Sequence, residues 1–177
     1  LINWYKGLDV DDEDIDVVTT AEMRPSAHGD VVHSRPIAID FRANPLIDPA
    51  KVIVFYGGND GVLRAINGNR SVSIGSVAAG QEMWAFTPPE FHAQVKRLRD
   101  NNTQISFQGN PTTSPTPLPK PYGMDGAIAT YNNSWLYVGM RRGGRVLYAF
   151  DVSGFALSSP TAPTLKWKKG CPNQGND

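Results

Sequence analysis

The sequence predicts an all-β protein made of repeated four-stranded units of the β-propeller type, and three observations carry that prediction. The first is a pair of β-rich apolar runs, 52–56 and 62–66, on either side of Gly57-Gly-Asn-Asp-Gly61. A short Gly/Asx tract between such runs marks a β-hairpin, because these residues tolerate the positive φ of tight turns. The second is a further strand downstream, Gly80-Gln-Glu-Met-Trp-Ala-Phe86. The third is recurrence. Leu136-Tyr-Val-Gly139, a Gly/Arg-rich turn, Val146-Leu-Tyr-Ala-Phe-Asp151 and Leu165-Lys-Trp167 repeat the same order, with Leu63 to Leu147 and Ala65 to Ala149 separated by 84 residues and Trp84 to Trp167 by 83. A hairpin centre closed by a Trp-bearing strand is the content of one propeller blade. The repeat exceeds the ~40–50 residues of common blades, so the excess falls in insertions between blades.

The chain divides accordingly into an acidic lead-in loop (1–24), a first blade (25–88), an inter-blade helix and Pro-rich connector (89–121), a second blade (122–170) and the start of a further segment (171–177). About two blades of a larger propeller are expected. Of the 177 residues, 40% are hydrophobic and 19% charged, and 17 Lys/Arg balance 17 Asp/Glu. Zero net charge removes any global attraction to nucleic acid or to an anionic membrane. No apolar run is long enough to span a bilayer. Seventeen Gly and fourteen Pro suit a turn-rich β protein. Leu1 is neither an initiator Met nor the start of a signal peptide, so the chain reads as a piece of a longer one. Cys171 is the single cysteine, which excludes an internal disulfide or zinc cluster and leaves a half-bridge.

In the lead-in, Asp9, Asp11, Asp12, Asp14 and Asp16 are calcium-ligand candidates, since Ca²⁺ takes six to eight hard oxygen ligands. The EF-hand frame fails: counting from Asp12 puts Val17 at the turn glycine and Met23 at the bidentate Glu, and counting from Asp11 puts Glu22 last but Ile15 in a ligand position. A solvated acidic loop is the plainer reading. Residues 31–41 read as a strand. Asp30, His33 and Ser34 invite a catalytic triad, but neighbours on a strand point to opposite faces and no nucleophile elbow surrounds the serine. His28, His33 and His92 lack metal-ligand spacing. Gly57–Gly61 is not a phosphate loop, because no Gly-Lys-Ser/Thr and no helix follow. No enzyme is visible.

Thr87-Pro-Pro-Glu90 is a helix start with Thr at the N-cap, and Phe91, Val95 and Leu98 form one apolar stripe. Residues 110–121 hold five prolines, cannot enter a sheet interior, and form an extended connector. Residues 124–131 resume the sheet. Arg141, Arg142 and Arg145 place three guanidiniums on a hairpin tip, a candidate contact to a partner's carboxylates or sulfates.

The order of motifs resembles the C-terminal propeller domain of the type IV pilus biogenesis and tip-adhesin family (PilC/PilY type). The resemblance runs through Gly29-Asp-Val-Val-His-Ser-Arg-Pro36, Tyr56 to Asn67, Glu82-Met-Trp-Ala-Phe-Thr-Pro-Pro89, Lys120-Pro-Tyr-Gly-Met-Asp-Gly126, Gly143 to Val152 and Trp167-Lys-Lys-Gly-Cys-Pro172. It implies a seven-bladed propeller in a secreted protein at the outer membrane surface or on the pilus. Such a protein is a non-enzymatic scaffold that supports pilus biogenesis and, in some members, surface attachment. Pilin or minor pilins, the remaining blades, and host or surface ligands are the implied partners. The family's calcium loop, Asp-x-Asp-x-Asp-x-x-x-Asp, does not occur at residues 9–16, so calcium regulation is not implied and no cofactor is assigned. Two alternatives stand beside it. A quinoprotein (PQQ-type) dehydrogenase propeller has a similar tryptophan-docking strand but needs an adjacent-cysteine pair. A carbohydrate-binding propeller would show exposed aromatics such as Trp135.

Overall fold

A computed structural model describes residues 1–17, 22–106 and 116–170. The chain forms two four-stranded antiparallel sheets, each a meander in chain order. The first comprises β1 (Ile37–Asp40), β2 (Val52–Gly57), β3 (Leu63–Asn67) and β4 (Glu82–Phe86). The second comprises β5 (Ile128–Tyr131), β6 (Trp135–Gly139), β7 (Val146–Asp151) and β8 (Thr164–Gly170). The all-β expectation stands. Among the described residues no helix is long and apolar enough to cross a membrane.

Alternation of side chains along each strand selects the buried face. On β2, Ile53 and Phe55 are buried while Val52, Val54 and Tyr56 are half-buried; on β6, Leu136 and Val138 are buried while Trp135 and Tyr137 are half-buried. One core joins the sheets. Ile39, Ile53, Phe55 and Leu63 from the first meet Leu136, Val138, Tyr148 and Phe150 from the second. Aromatic edges tighten the contact: Trp84 lies 5.3 Å from Phe150, and Phe86 lies 5.0 Å from Phe150 and 5.2 Å from Tyr148. Burial of such side chains stabilises by about 1.5–3 kcal/mol each. The sheets come so close at Gly57 that a Cβ there would sit 2.1 Å from the Met124 carbonyl oxygen.

The two sheets share a register. Ala65 faces Trp84 and Ala149 faces Trp167, and in both sheets a bulge follows that alanine. Phe55 faces Ala65 as Tyr137 faces Ala149. β3 and β7 each end in an Asx turn: Asn67 Oδ1 accepts the Asn69 N–H at 3.1 Å, and Asp151 Oδ1 accepts the Ser153 N–H at 3.0 Å. Bulge and turn together pin the pairing against slippage.

Three elements differ from expectation. The strand at 31–41 pairs only over Ile37–Asp40. Upstream, Arg35 has φ +53° and the buried Ser34 Oγ accepts the Gly57 N–H at 2.6 Å, so this segment anchors a turn. The strand at 124–131 begins only at Ile128, because Met124 and Asp125 are buried at the junction with the first sheet. Thr87 and Glu90 do not form a cap. Thr87 Oγ1 donates to the Tyr5 hydroxyl at 3.2 Å, and the Glu90 carboxylate takes Tyr148 Oη and Lys168 Nζ. The chain turns instead through a 3₁₀ segment (Pro89–Gln94) into a short helix, α2 (Val95–Asp100), ended by Asn101 at φ +42°. Its apolar stripe does pack: Phe91 and Val95 are buried with Trp4 of α1 (Ile2–Tyr5), and Leu98 lies against them. Cys171 and the other residues of 171–177 lie outside the described residues, as do residues 107–115, which include the first half of the connector.

Candidate functional site

Four places carry chemistry. The acidic segment is closed at its base by a bridge between Leu8 and Met23. Within it Asp9 is fully buried, and both its oxygens accept the Glu13 N–H at 3.0 Å. The Glu13 carboxylate in turn accepts Trp4 Nε1–H at 3.0 Å and lies 3.5 Å from Arg24. Asp12, at φ +54°, accepts the N–H groups of Asp16 and Val17 on one oxygen. Two triplets bring carboxylate oxygens within 4.8 Å of one another: Asp9, Asp14 and Glu22, and Asp12, Asp14 and Asp16.

Asp11 belongs to neither triplet. The Arg99 guanidinium reaches it at 2.8 Å and holds its carboxyl below the usual carboxylate range. Glu22 is the last position of the failed EF-hand frame counted from Asp11 and was not among the candidate ligands; the chain reversal closed by Leu8 and Met23 brings it beside Asp9 and Asp14. Burial first, then the charges of Asp16 and Asp14, push its carboxyl up. With one oxygen from each residue, a triplet supplies three of the six to eight oxygens that Ca²⁺ takes.

Arg141, Arg142 and Arg145 are exposed where β6 turns into β7. The connection is a 3₁₀ turn (Arg141–Gly143) rather than a tight hairpin, with Arg141 at φ +51°. Arg142 donates to the Tyr122 hydroxyl at 3.2 Å and stands over its ring, which Lys120 approaches from 5.8 Å. Arg141 lies 4.0 Å from the buried Asp125. The tip is therefore a held cationic surface rather than three loose side chains.

Asp30, His33 and Ser34 do not converge. His33 Nδ1 is 2.9 Å from both oxygens of Asp125, Asp30 takes Lys120 Nζ at 2.6 Å, and Ser34 is spent on the backbone of β2. Asp125 is the acidic partner that local spacing could not reveal, because 92 residues separate it from His33. His28 is likewise paired, its Nδ1 standing 3.0 Å from the Tyr56 hydroxyl.

The outer face of the second sheet carries a row of aromatics. Trp135 and Tyr137 stack at 6.3 Å with 8° between their planes, and Trp167 follows 6.0 Å from Tyr137. Tyr131 is 61% exposed, Leu147 41% and Trp167 36%. No family model, no curated protein and no solved structure matches this chain.

Proposed function

We propose that the two sheets are successive blades of a β-propeller, and that the chain is part of the non-enzymatic propeller scaffold of a secreted type IV pilus assembly and tip-adhesin protein. The observation that carries the blade reading is the repeated register. Two meanders place Trp opposite Ala immediately before a bulge, and each ends its third strand in an Asx turn. Such coincidence of pairing, bulge and turn is what duplication of one supersecondary unit leaves behind. The pilus reading rests on the ordered motifs quoted from the sequence. A scaffold role agrees with Ser34 and His33 each being engaged in structural contacts.

Purified type IV pilins and minor pilins, passed over the immobilised chain, test the role. Saturable binding that weakens when Arg141 and Arg142 are both changed to Glu is the expected result. Failure to bind any pilin, together with reduction of an artificial electron acceptor once pyrroloquinoline quinone and Ca²⁺ are added, would replace the scaffold by a dehydrogenase.

A further inference from the structure

We propose that the cavity beside the Gly57–Gly61 turn binds an acylated α-amino acid, free or as the last residue of a peptide chain, through Asn59 and Arg97. Asn59 is the residue the fold leaves without a task. Asparagine enters a turn for a left-handed backbone or for a side-chain bond to the chain two residues on. Asn59 supplies neither: its φ is not positive, and the Asx bond of this turn belongs to Asp60, whose Oδ1 accepts the Val62 N–H at 3.2 Å. The backbone is held without the side chain, the Asn59 N–H donating to the Asp30 carbonyl at 2.9 Å. Yet Asn59 is 5% exposed, and both Oδ1 and Nδ2 are buried with no hydrogen-bond partner among the described residues. A buried amide unmade at both ends calls for a partner that the fold itself does not provide. No hydrogen bond has to break for it to turn about its χ angles toward one.

Asn59 lines a cavity of about 390 Å³, within the range of small-molecule sites. Three cations, Arg24, Arg97 and Lys120, line it against two carboxylates, Asp30 and Asp60. Most of that charge is spent inside the fold. Lys120 Nζ takes Asp30 at 2.6 Å, Asp60 takes Arg64 at 2.6 Å, and Arg24 lies 3.5 Å from Glu13. Among the described residues the half-buried Arg97 donates to the Leu118 carbonyl at 3.2 Å and has no carboxylate partner. One unspent guanidinium selects an acid.

The two features fit one ligand. In an extended amino-acid residue the N–H and C=O lie on the same edge, which is how paired strand residues exchange two hydrogen bonds. An Asn amide offers the same pair, an acceptor beside a donor. Asn59 Oδ1 therefore accepts the acyl N–H and Nδ2 donates to one carboxylate oxygen, leaving the other oxygen to Arg97. Leu98, Ile105 and Pro121 give an apolar wall for the ligand's side chain. An acidic sugar fits less well. The one indole at the cavity, Trp4, is 6% exposed and has the Arg24 guanidinium 3.9 Å from its ring centre, so it offers no platform for a sugar.

Titration of the isotope-labelled chain with N-acetyl-leucine, followed at the Asn59 side-chain NH₂ resonances, tests the proposal. Saturable shifts in the millimolar range are expected of a ligand with so few atoms. 4-Methylpentanoate lacks the amide and N-acetyl-leucinamide lacks the carboxylate. Each should bind at least about tenfold more weakly, because each leaves a protein group unpaired. Asn59→Ala should lose binding by about the same factor with the melting temperature unchanged within a few degrees, since no bond within the fold is lost. Arg97→Gln should bring N-acetyl-leucine down to the affinity of N-acetyl-leucinamide and leave the latter unchanged.

An acetylated Ala-Ala-Leu peptide separates the two sources. Binding about tenfold tighter than N-acetyl-leucine identifies a chain terminus and equal binding a free ligand, and either supports the proposal. Asn59 resonances that no ligand moves would make the cavity a water-filled structural pocket. Tighter binding of N-acetylneuraminate would make it an acidic-sugar site. Each of these last two results overturns the inference, and neither bears on pilin binding at Arg141 and Arg142.

Discussion

Trp84 and Trp167 stand at one register position in two sheets, each opposite an alanine just before a bulge. Trp84 is wedged edge-on against Phe150, whereas Trp167 is 36% exposed. Equal position with unequal burial separates the consequences of losing them. Trp84→Ala should cost about 2–4 kcal/mol, the range for a large core truncation at a half-buried site. Trp167→Ala should cost under about 1 kcal/mol, as surface changes do. Urea unfolding followed by circular dichroism measures both, and equal costs would contradict the unequal burial of the two rings.

Gly61 and Gly80 share a left-handed backbone, at φ +88° and +81°. A Cβ on Gly61 would lie 2.0 Å from Phe91 Cδ1, while one on Gly80 meets nothing within 4 Å. Gly80→Ala should therefore cost about 1 kcal/mol, from backbone conformation alone. Gly61→Ala adds overpacking and should cost about 2–4 kcal/mol. Thermal melts of the two variants, compared directly, isolate the steric part.

The acidic segment gives a prediction on metal. Asp9 and Asp12 already accept backbone N–H groups, so titration calorimetry should show no Ca²⁺ binding tighter than about 10 µM, the sensor range. Asp14 belongs to both carboxylate triplets. Tighter binding lost in Asp14→Ala would establish a calcium site there.

Acid sensitivity follows from depressed carboxyls. The Arg42 side chain holds Asp40 below its ordinary 3.8, Ser153 does the same for Asp151, and Arg99 for Asp11. A carboxyl lowered in the folded state contributes stability that is fully present above its unfolded value and lost as pH falls through the folded one. The melting temperature should accordingly hold steady just above pH 4 on account of these three and fall below it. Arg42→Gln should flatten part of that fall. Glu22, whose carboxyl is pushed up, works with the opposite sign: Glu22→Gln should raise the melting temperature at pH 7. Differential scanning calorimetry across pH checks both directions.

The strands and their order were legible in the sequence because their signals are local. Alternating β-branched and aromatic runs, Gly/Asx turns and the spacing of Leu63, Ala65 and Trp84 against Leu147, Ala149 and Trp167 need no knowledge of the fold. The short strand at Ile37–Asp40 and the failed cap at Thr87 were not legible. Ser34, Thr87 and Glu90 gave up their local roles to partners 23, 82 and 58 residues away in Gly57, Tyr5 and Tyr148.

For the candidate sites the same division holds. The sequence by itself determined that Asp9 to Asp16 crowd charge into one loop, that three arginines gather at one turn, and that two units repeat. Only the tertiary structure decided that Asp11 leaves the cluster for Arg99 while Glu22 joins it, and that His33 pairs with Asp125. It also decided which face of each sheet is covered. Strand alternation offers two faces with equal right to the core, and period-two patterning cannot choose between Leu136 with Val138 and Trp135 with Tyr137 when all four are apolar. Packing against the first sheet made that choice, burying the aliphatic pair and leaving the aromatic pair on the outside.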